Sequence, residues 1–249
     1  AAPLLAQPLP AAAGARAGAH MPPLVRAYQG RMGLERFMPQ GLTDPDRQVT
    51  NALIAANVVV FLITMSNPTI VHDYAQINSL MVGRGEYYRL LTAAFLHGGP
   101  LHLLANCLSL HWVAPAVEEQ CGRSTFVLIY ALSAVSAGMA HLLMGPYFGV
   151  LVGASGGVAG LLAATIAFKW RNRTFVPFTQ SDVSWIGQIV ALNVVLSLLS
   201  HSISHWGHLG GALGGAAAMY LFGPRFRWGR GYVENQPLIP LFRDMPGRH

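Results

Sequence analysis

Six apolar segments leave this chain little choice of solvent. They run near residues 50–66, 100–117, 124–144, 153–170, 184–200 and 205–222. A helix needs roughly 20 apolar residues to cross a hydrocarbon core of about 30 Å. Several segments are shorter, which predicts local bilayer thinning or helices that begin below the surface. Over 249 residues, 53% are hydrophobic and 10% charged, against about 25% charged in a soluble domain. That balance excludes a disordered chain, a coiled coil and an ordinary water-soluble globule. The expected class is all-α, a polytopic membrane protein with six transmembrane helices. The stretch 67–99 mixes Asp73, Arg84, Glu86 and Arg89 with apolar runs such as LLTAAFL, and predicts interfacial helices in the first loop.

Charge placement sets the orientation. The net charge is +6, but the basic residues sit between apolar segments, a pattern of membrane topology and not of nucleic-acid binding. With six crossings, 14 of the 16 Lys and Arg residues fall on one side, leaving only Arg84 and Arg89 on the other. Both termini are therefore expected on the cytoplasmic or matrix-like face. Two scattered cysteines, Cys107 and Cys121, make neither a disulfide framework nor a zinc set.

Three regions are expected: an N-terminal arm over 1–48, a membrane domain over 49–223 and a C-terminal tail over 224–249. The arm carries Arg16, Arg26 and Arg31 and no acid through residue 34. That composition suits an organelle transit peptide or a segment that binds a partner chain.

Several polar residues lie where hydrocarbon makes them expensive: His102, Asn106, Ser155, His205 and His208. Singly, each has a plain explanation. A serine in a membrane helix bonds back to its own backbone, and a histidine packs in a polar corner. Depth separates them from that explanation. Segments two, four and six all start on the outer side, so His102 with Asn106, Ser155, and His208 arrive at one level from three helices. Gly153-Ala154-Ser155-Gly156-Gly157 combines small residues with a helix start, whose unpaired N–H groups favour an oxyanion. Gly207, Gly211 and Gly215, spaced by four, let helix backbones approach closely.

These residues resemble the rhomboid intramembrane serine proteases, and the arm suggests an organellar, mitochondrial-like member. The matching pieces are Gly-Ala-Ser155-Gly, His208-x-x-Gly211-x-x-x-Gly215, His102-x-x-x-Asn106, Val117-Glu118 followed by Gly122, and Gly145-Pro146. Tyr88-Arg89 occupies the place of the family's Trp-Arg pair. The resemblance spans about residues 50–222. It implies a six-helix bundle with a wet cavity open to the outer face, Ser155 as nucleophile and His208 as general base. His102, Asn106 and the Ser155 backbone N–H would form the oxyanion hole, with Gly153 and Ala154 beside it. It implies no metal or other cofactor.

The implied partners are membrane lipids and single-span membrane protein substrates, with no nucleic acid. A larger membrane complex reached through residues 1–48 is a further expectation. The alternative is a structural or assembly subunit that keeps the fold without the activity; a transporter fits less well. The expected location is the mitochondrial inner membrane, with chloroplast and bacterial inner membranes as alternatives. Two departures stand out. Ala159 occupies a position where many bacterial relatives have Tyr beneath the histidine, so either Trp206 or backbone positions His208 or the dyad is looser. The other is Tyr88 in place of Trp, a milder change; Arg89 beside it is expected to be interfacial, either a phosphate-binding anchor or an ordinary snorkelling side chain.

Overall fold

The structure is a computed structural model that describes residues 47–199, 204–229 and 233–242. It is mostly helical. The expected arm, residues 1–48, lies almost wholly outside the described residues.

Long helices stand at each expected crossing: α1 (Gln48–Ser66), α5 (Pro100–Cys121), α6 (Arg123–Met144), α7 (Ser155–Arg171), α8 (Gln180–Leu199) and α9 (His205–Phe222). Among the described residues, α1 and α6 are long and apolar enough by composition to cross a membrane. The others are shorter or diluted by Gly, His, Asn, Gln and Ser. On α1, Val59, Leu62, Ile63 and Met65 are exposed while Thr50, Asn57, Phe61 and Thr64 are buried. Val49, Leu53 and Ile54 pack against the core, while the aliphatic stripe toward the C-terminal half faces out, the arrangement expected of a helix solvated by lipid.

The first loop holds three short helices, α2 (Thr69–Tyr74), α3 (Asn78–Arg84) and α4 (Arg89–Thr92), followed by a 3-10 turn over Ala93–Phe95. The expectation of helix there stands. The all-α expectation needs a small correction. Strand β1 (Gln76–Ile77) pairs antiparallel with β2 (Val150–Leu151), Gln76 opposite Leu151. This ribbon ties the first loop to the segment that leads into α7. Asn78 reinforces it, its N–H donating to the Gly149 carbonyl at 3.1 Å and its side-chain amide to the Pro146 carbonyl at 3.0 Å.

The described part of the region expected as a tail, 224–229 and 233–242, is also structured. Strand β3 (Phe226–Trp228) pairs with β4 (Val233–Asn235) in a hairpin. Phe226 meets Phe168 edge to face at 5.9 Å between ring centres. Asn172 clamps the entry, accepting from the Phe226 N–H at 2.7 Å and donating to the Pro224 carbonyl at 3.0 Å. Phe226 and Val233 belong to the same buried cluster as Phe168 and Met219, so the core continues past residue 223.

Buried charge locks the end of the bundle opposite the N-termini of α5, α7 and α9. Lys169 of α7 reaches Asp182 of α8 at 2.6 Å, both buried. Glu118, buried near the end of α5, accepts from the N–H groups of Val49 and Thr50 at 2.9 and 2.8 Å and from Thr50 Oγ1 at 2.8 Å. A carboxylate here satisfies donors that the first turn of α1 cannot pair and meets the positive end of its dipole. Replacing Glu118 by Ala is expected to destabilise the fold by about 2–5 kcal/mol, because buried donors lose an ionised acceptor. Glu118→Gln should retain part of this, since one oxygen remains. Thermal unfolding in detergent checks it, and an unchanged Tm in Glu118→Ala would refute the assignment.

Candidate active site

Ser155 is the first residue of α7, following fully buried Ala154. The first N–H groups of the helix have no carbonyl of their own to bond. The chain reaches this start through Gly153, whose φ of +115° is one that L side chains rarely adopt. The Gly153 N–H donates to the Ala93 carbonyl at 2.9 Å, fixing the turn against the first loop. A Cβ at Gly153 would lie 2.7 Å from His102 Nε2 and 3.7 Å from Asn106 Nδ2. Glycine is therefore required both for the turn and for room.

The same distances place His102 and Asn106 against the approach to Ser155, as their depth in the sequence suggested. The Gly98 N–H makes a long hydrogen bond, 3.4 Å, to His102 Nδ1. Nδ1 is then the acceptor, and Nε2, the nitrogen facing Gly153, carries the proton. Asn106 is buried and donates one amide hydrogen to the His102 carbonyl at 2.9 Å.

His97 was not singled out in the sequence. It is buried, and its ring meets that of His102 edge to face at 5.2 Å. Burial and then the neighbouring His102 push its pKa down to about 4, so it supports His102 as a neutral ring. The signal was the five-residue spacing in His97-Gly-Gly-Pro-Leu-His102, which reads as loop until Pro100 is seen to open α5.

His208 lies one turn into α9. It lines one cavity with Ser155, Gly153, Gly156, Gly157 and Gly207, closed on other sides by Ala93, Leu151 and Ala137 among others. No hydrogen bond joins Ser155 and His208 among the described residues. Catalytic hydrogen bonds often tighten only when substrate is present.

The glycines divide in two. At Gly211 a Cβ would meet the Gly156 backbone, 2.8 Å from its carbonyl carbon, and at Gly215 it would meet the backbone of Gly160. These two residues, with Gly156 and Gly160, form the close crossing of α7 and α9. Gly207 does not pack in that way. A Cβ there would lie 3.3 Å from Ser204 Oγ and 3.5 Å from Leu151 Cδ1, and the residue belongs to the cavity wall.

Two expectations are corrected. Trp206 is 42% exposed and is not among the residues that line the cavity, and His205 is also exposed. Arg89 is not an outward anchor. Its side chain is buried, paired with Glu86 at 2.6 Å, and donates to the carbonyls of His72 and Ala75 at 2.8 and 2.6 Å. Its donors are used in stitching the first loop together. Tyr88 is half exposed and donates to the Asp73 carbonyl at 3.0 Å. Neither residue reaches the cavity lined by Ser155.

A family model described as a rhomboid domain matches residues 84–225. The chain is 31% identical over 212 residues to Rhomboid protease GluP of Bacillus subtilis (strain 168), covering 78% of this chain and 41% of that protein. It is 33% identical over 144 residues to Putative rhomboid protease YdcA of the same organism, covering 57% of this chain and 71% of the relative. It is 31% identical over 159 residues to RHOMBOID-like protein 1 of Arabidopsis thaliana, covering 64% of this chain and 40% of the relative. The chain thus spans about two fifths of the length of the first and third of these proteins.

Proposed function

This chain belongs to the rhomboid family, and from that premise we propose that it is an intramembrane serine endopeptidase. Its six long helices cross the bilayer, its basic ends and both termini lie on the inner side, and the cavity opens toward the outer side. The helices of the first loop lie in the interface. The observation that carries the reading is a shared cavity, with Ser155 and His208 lining it from different helices and His102 at its edge.

The chemistry follows from those positions. His208 accepts the Ser155 proton as Oγ attacks a peptide carbonyl of the substrate. The electron pair of the carbonyl moves to oxygen. The resulting oxyanion is met by His102 Nε2–H, by Asn106 and by the N–H of Ser155 at the positive end of α7. As the tetrahedral adduct collapses, His208 donates its proton to the leaving amine. Water then repeats the attack on the acyl-enzyme, with His208 again as base. Donors fixed in a site shielded from bulk water need no reorganisation when the charge forms, which is where most of the acceleration arises.

The substrates are single-span membrane proteins whose helix unwinds at the cavity. A peptide bond inside an intact membrane helix is closed by its own hydrogen bonds, so local unwinding must precede attack. The arginine-rich arm supports the mitochondrial inner membrane as the location and a larger membrane complex as a further partner.

Labelling by a fluorophosphonate probe tests the reading. The full chain in detergent should be labelled, and Ser155→Ala and His208→Ala should not. A folded protein that resists the probe, or equal labelling of all three, would leave the chain as a rhomboid-fold assembly subunit.

A further inference from the structure

Resting on the Ser155–His208 reading, we propose that His141 is a positioning residue for His208, acting through Ser204. Ala159 has only a methyl group where many bacterial relatives place a ring, and Trp206 is exposed and does not line the cavity. The orientation of His208 must therefore come from how α9 itself is seated.

Ser204 is the N-cap of α9. Its Oγ accepts from the Gly207 N–H at 3.0 Å, and its carbonyl accepts from the His208 N–H at 3.1 Å. Both ends of Ser204 thus engage the turn that presents the imidazole. The same Oγ lies 2.7 Å from His141 Nδ1, near the end of α6. A neutral imidazole suits either direction of this bond, because Oγ keeps one lone pair and one hydrogen after accepting from Gly207.

His141 is itself held. It is buried, and a Cβ at Gly145 would lie 3.0 Å from its Nδ1, while one at Gly149 would lie 2.9 Å from its Nε2. Its carbonyl accepts from the Asn78 amide at 3.1 Å, and the same amide reaches Pro146. The ring is caged by the loop that leads, through β2 and Gly153, to Ser155. One side chain therefore refers the start of α9 to the same framework that places the nucleophile.

The test uses the full chain in detergent, with Tm, fluorophosphonate labelling rate, and kcat and KM for a single-span substrate. His141→Leu keeps the volume but removes the bond. It is expected to lower labelling and kcat by about 10- to 100-fold with KM within about twofold, since misplacing a base acts on the reaction and not on docking. Ser204→Ala should act in the same direction. The double variant should be no worse than the poorer single one, because both remove one link. His141→Asn and Ser204→Thr, which can restore the bond or the cap, should recover most of the rate.

Wild-type kcat in folded His141→Leu would overturn the proposal. So would losses that multiply in the double variant, or a rise in KM alone. If His141→Leu fails to fold, His141→Met, which also removes the bond, decides in its place, because Ser204→Ala removes the cap as well. Failure of the underlying reading has a different signature. Wild type would then resist the probe, or Ser155→Ala would retain activity, whereas failure of this proposal alone leaves both dyad variants dead and the His141 variants active.

Discussion

Ser155→Ala and His208→Ala are each expected to lower cleavage of a single-span membrane substrate by about a thousandfold or more, and the double variant to be no slower than the worse single one. The two groups act as a unit. Without the imidazole, the hydroxyl keeps its proton at neutral pH and is a poor nucleophile. Without the hydroxyl, the imidazole has nothing to activate. What survives comes from the oxyanion donors and from substrate positioning, which neither variant touches. The stability cost should be small. Ser155 is half buried at the first position of α7 and its Oγ makes no hydrogen bond among the described residues, so alanine removes chemistry and little else. Cleavage measured beside Tm separates the two effects. Cleavage retained by either folded variant would reject the Ser–His assignment.

Much of this site was legible because membrane helices advertise themselves. The apolar segments near 50–66, 124–144 and 205–222 became helices within a residue or two of those limits, since long apolar runs leave the backbone no other way to satisfy its polar groups. The convergence of His102, Asn106, Ser155 and His208 followed from the alternating direction of successive helices. What stayed hidden depends on partners far along the chain. The β1–β2 ribbon has two residues per strand, too few for any alternation to register. The hairpin after α9 reads as a tail outside the membrane domain until Phe226 is seen against Phe168. Arg89 announces a charge and Glu86 a partner three residues before it, but its other acceptors are backbone carbonyls of His72 and Ala75, which no pattern of side chains reveals.

The helix crossing gives the second large effect. Gly211→Val is expected to abolish cleavage and to lower Tm markedly, with Gly211→Ala intermediate. A Cβ at Gly211 would fall 2.8 Å from the Gly156 carbonyl carbon and 3.0 Å from its Cα, and closer still to the carbonyl oxygen. All three are backbone atoms at the start of α7, so no side-chain rotation relieves the clash and the helices must separate. Overpacking of this kind ordinarily destabilises by about 1–3 kcal/mol. The functional loss should exceed that, because Gly156 adjoins Ser155 and Gly211 follows His208 by three residues. A displacement of about 1 Å between reacting groups can slow a reaction roughly a hundredfold. Gly187 supplies the comparison. It lies within α8 with open space where its Cβ would be, so Gly187→Ala should stabilise by up to about 1 kcal/mol from helix propensity alone. If Gly211→Ala matched Gly187→Ala in both Tm and cleavage, the close approach of α7 and α9 would not be what brings the two catalytic side chains together.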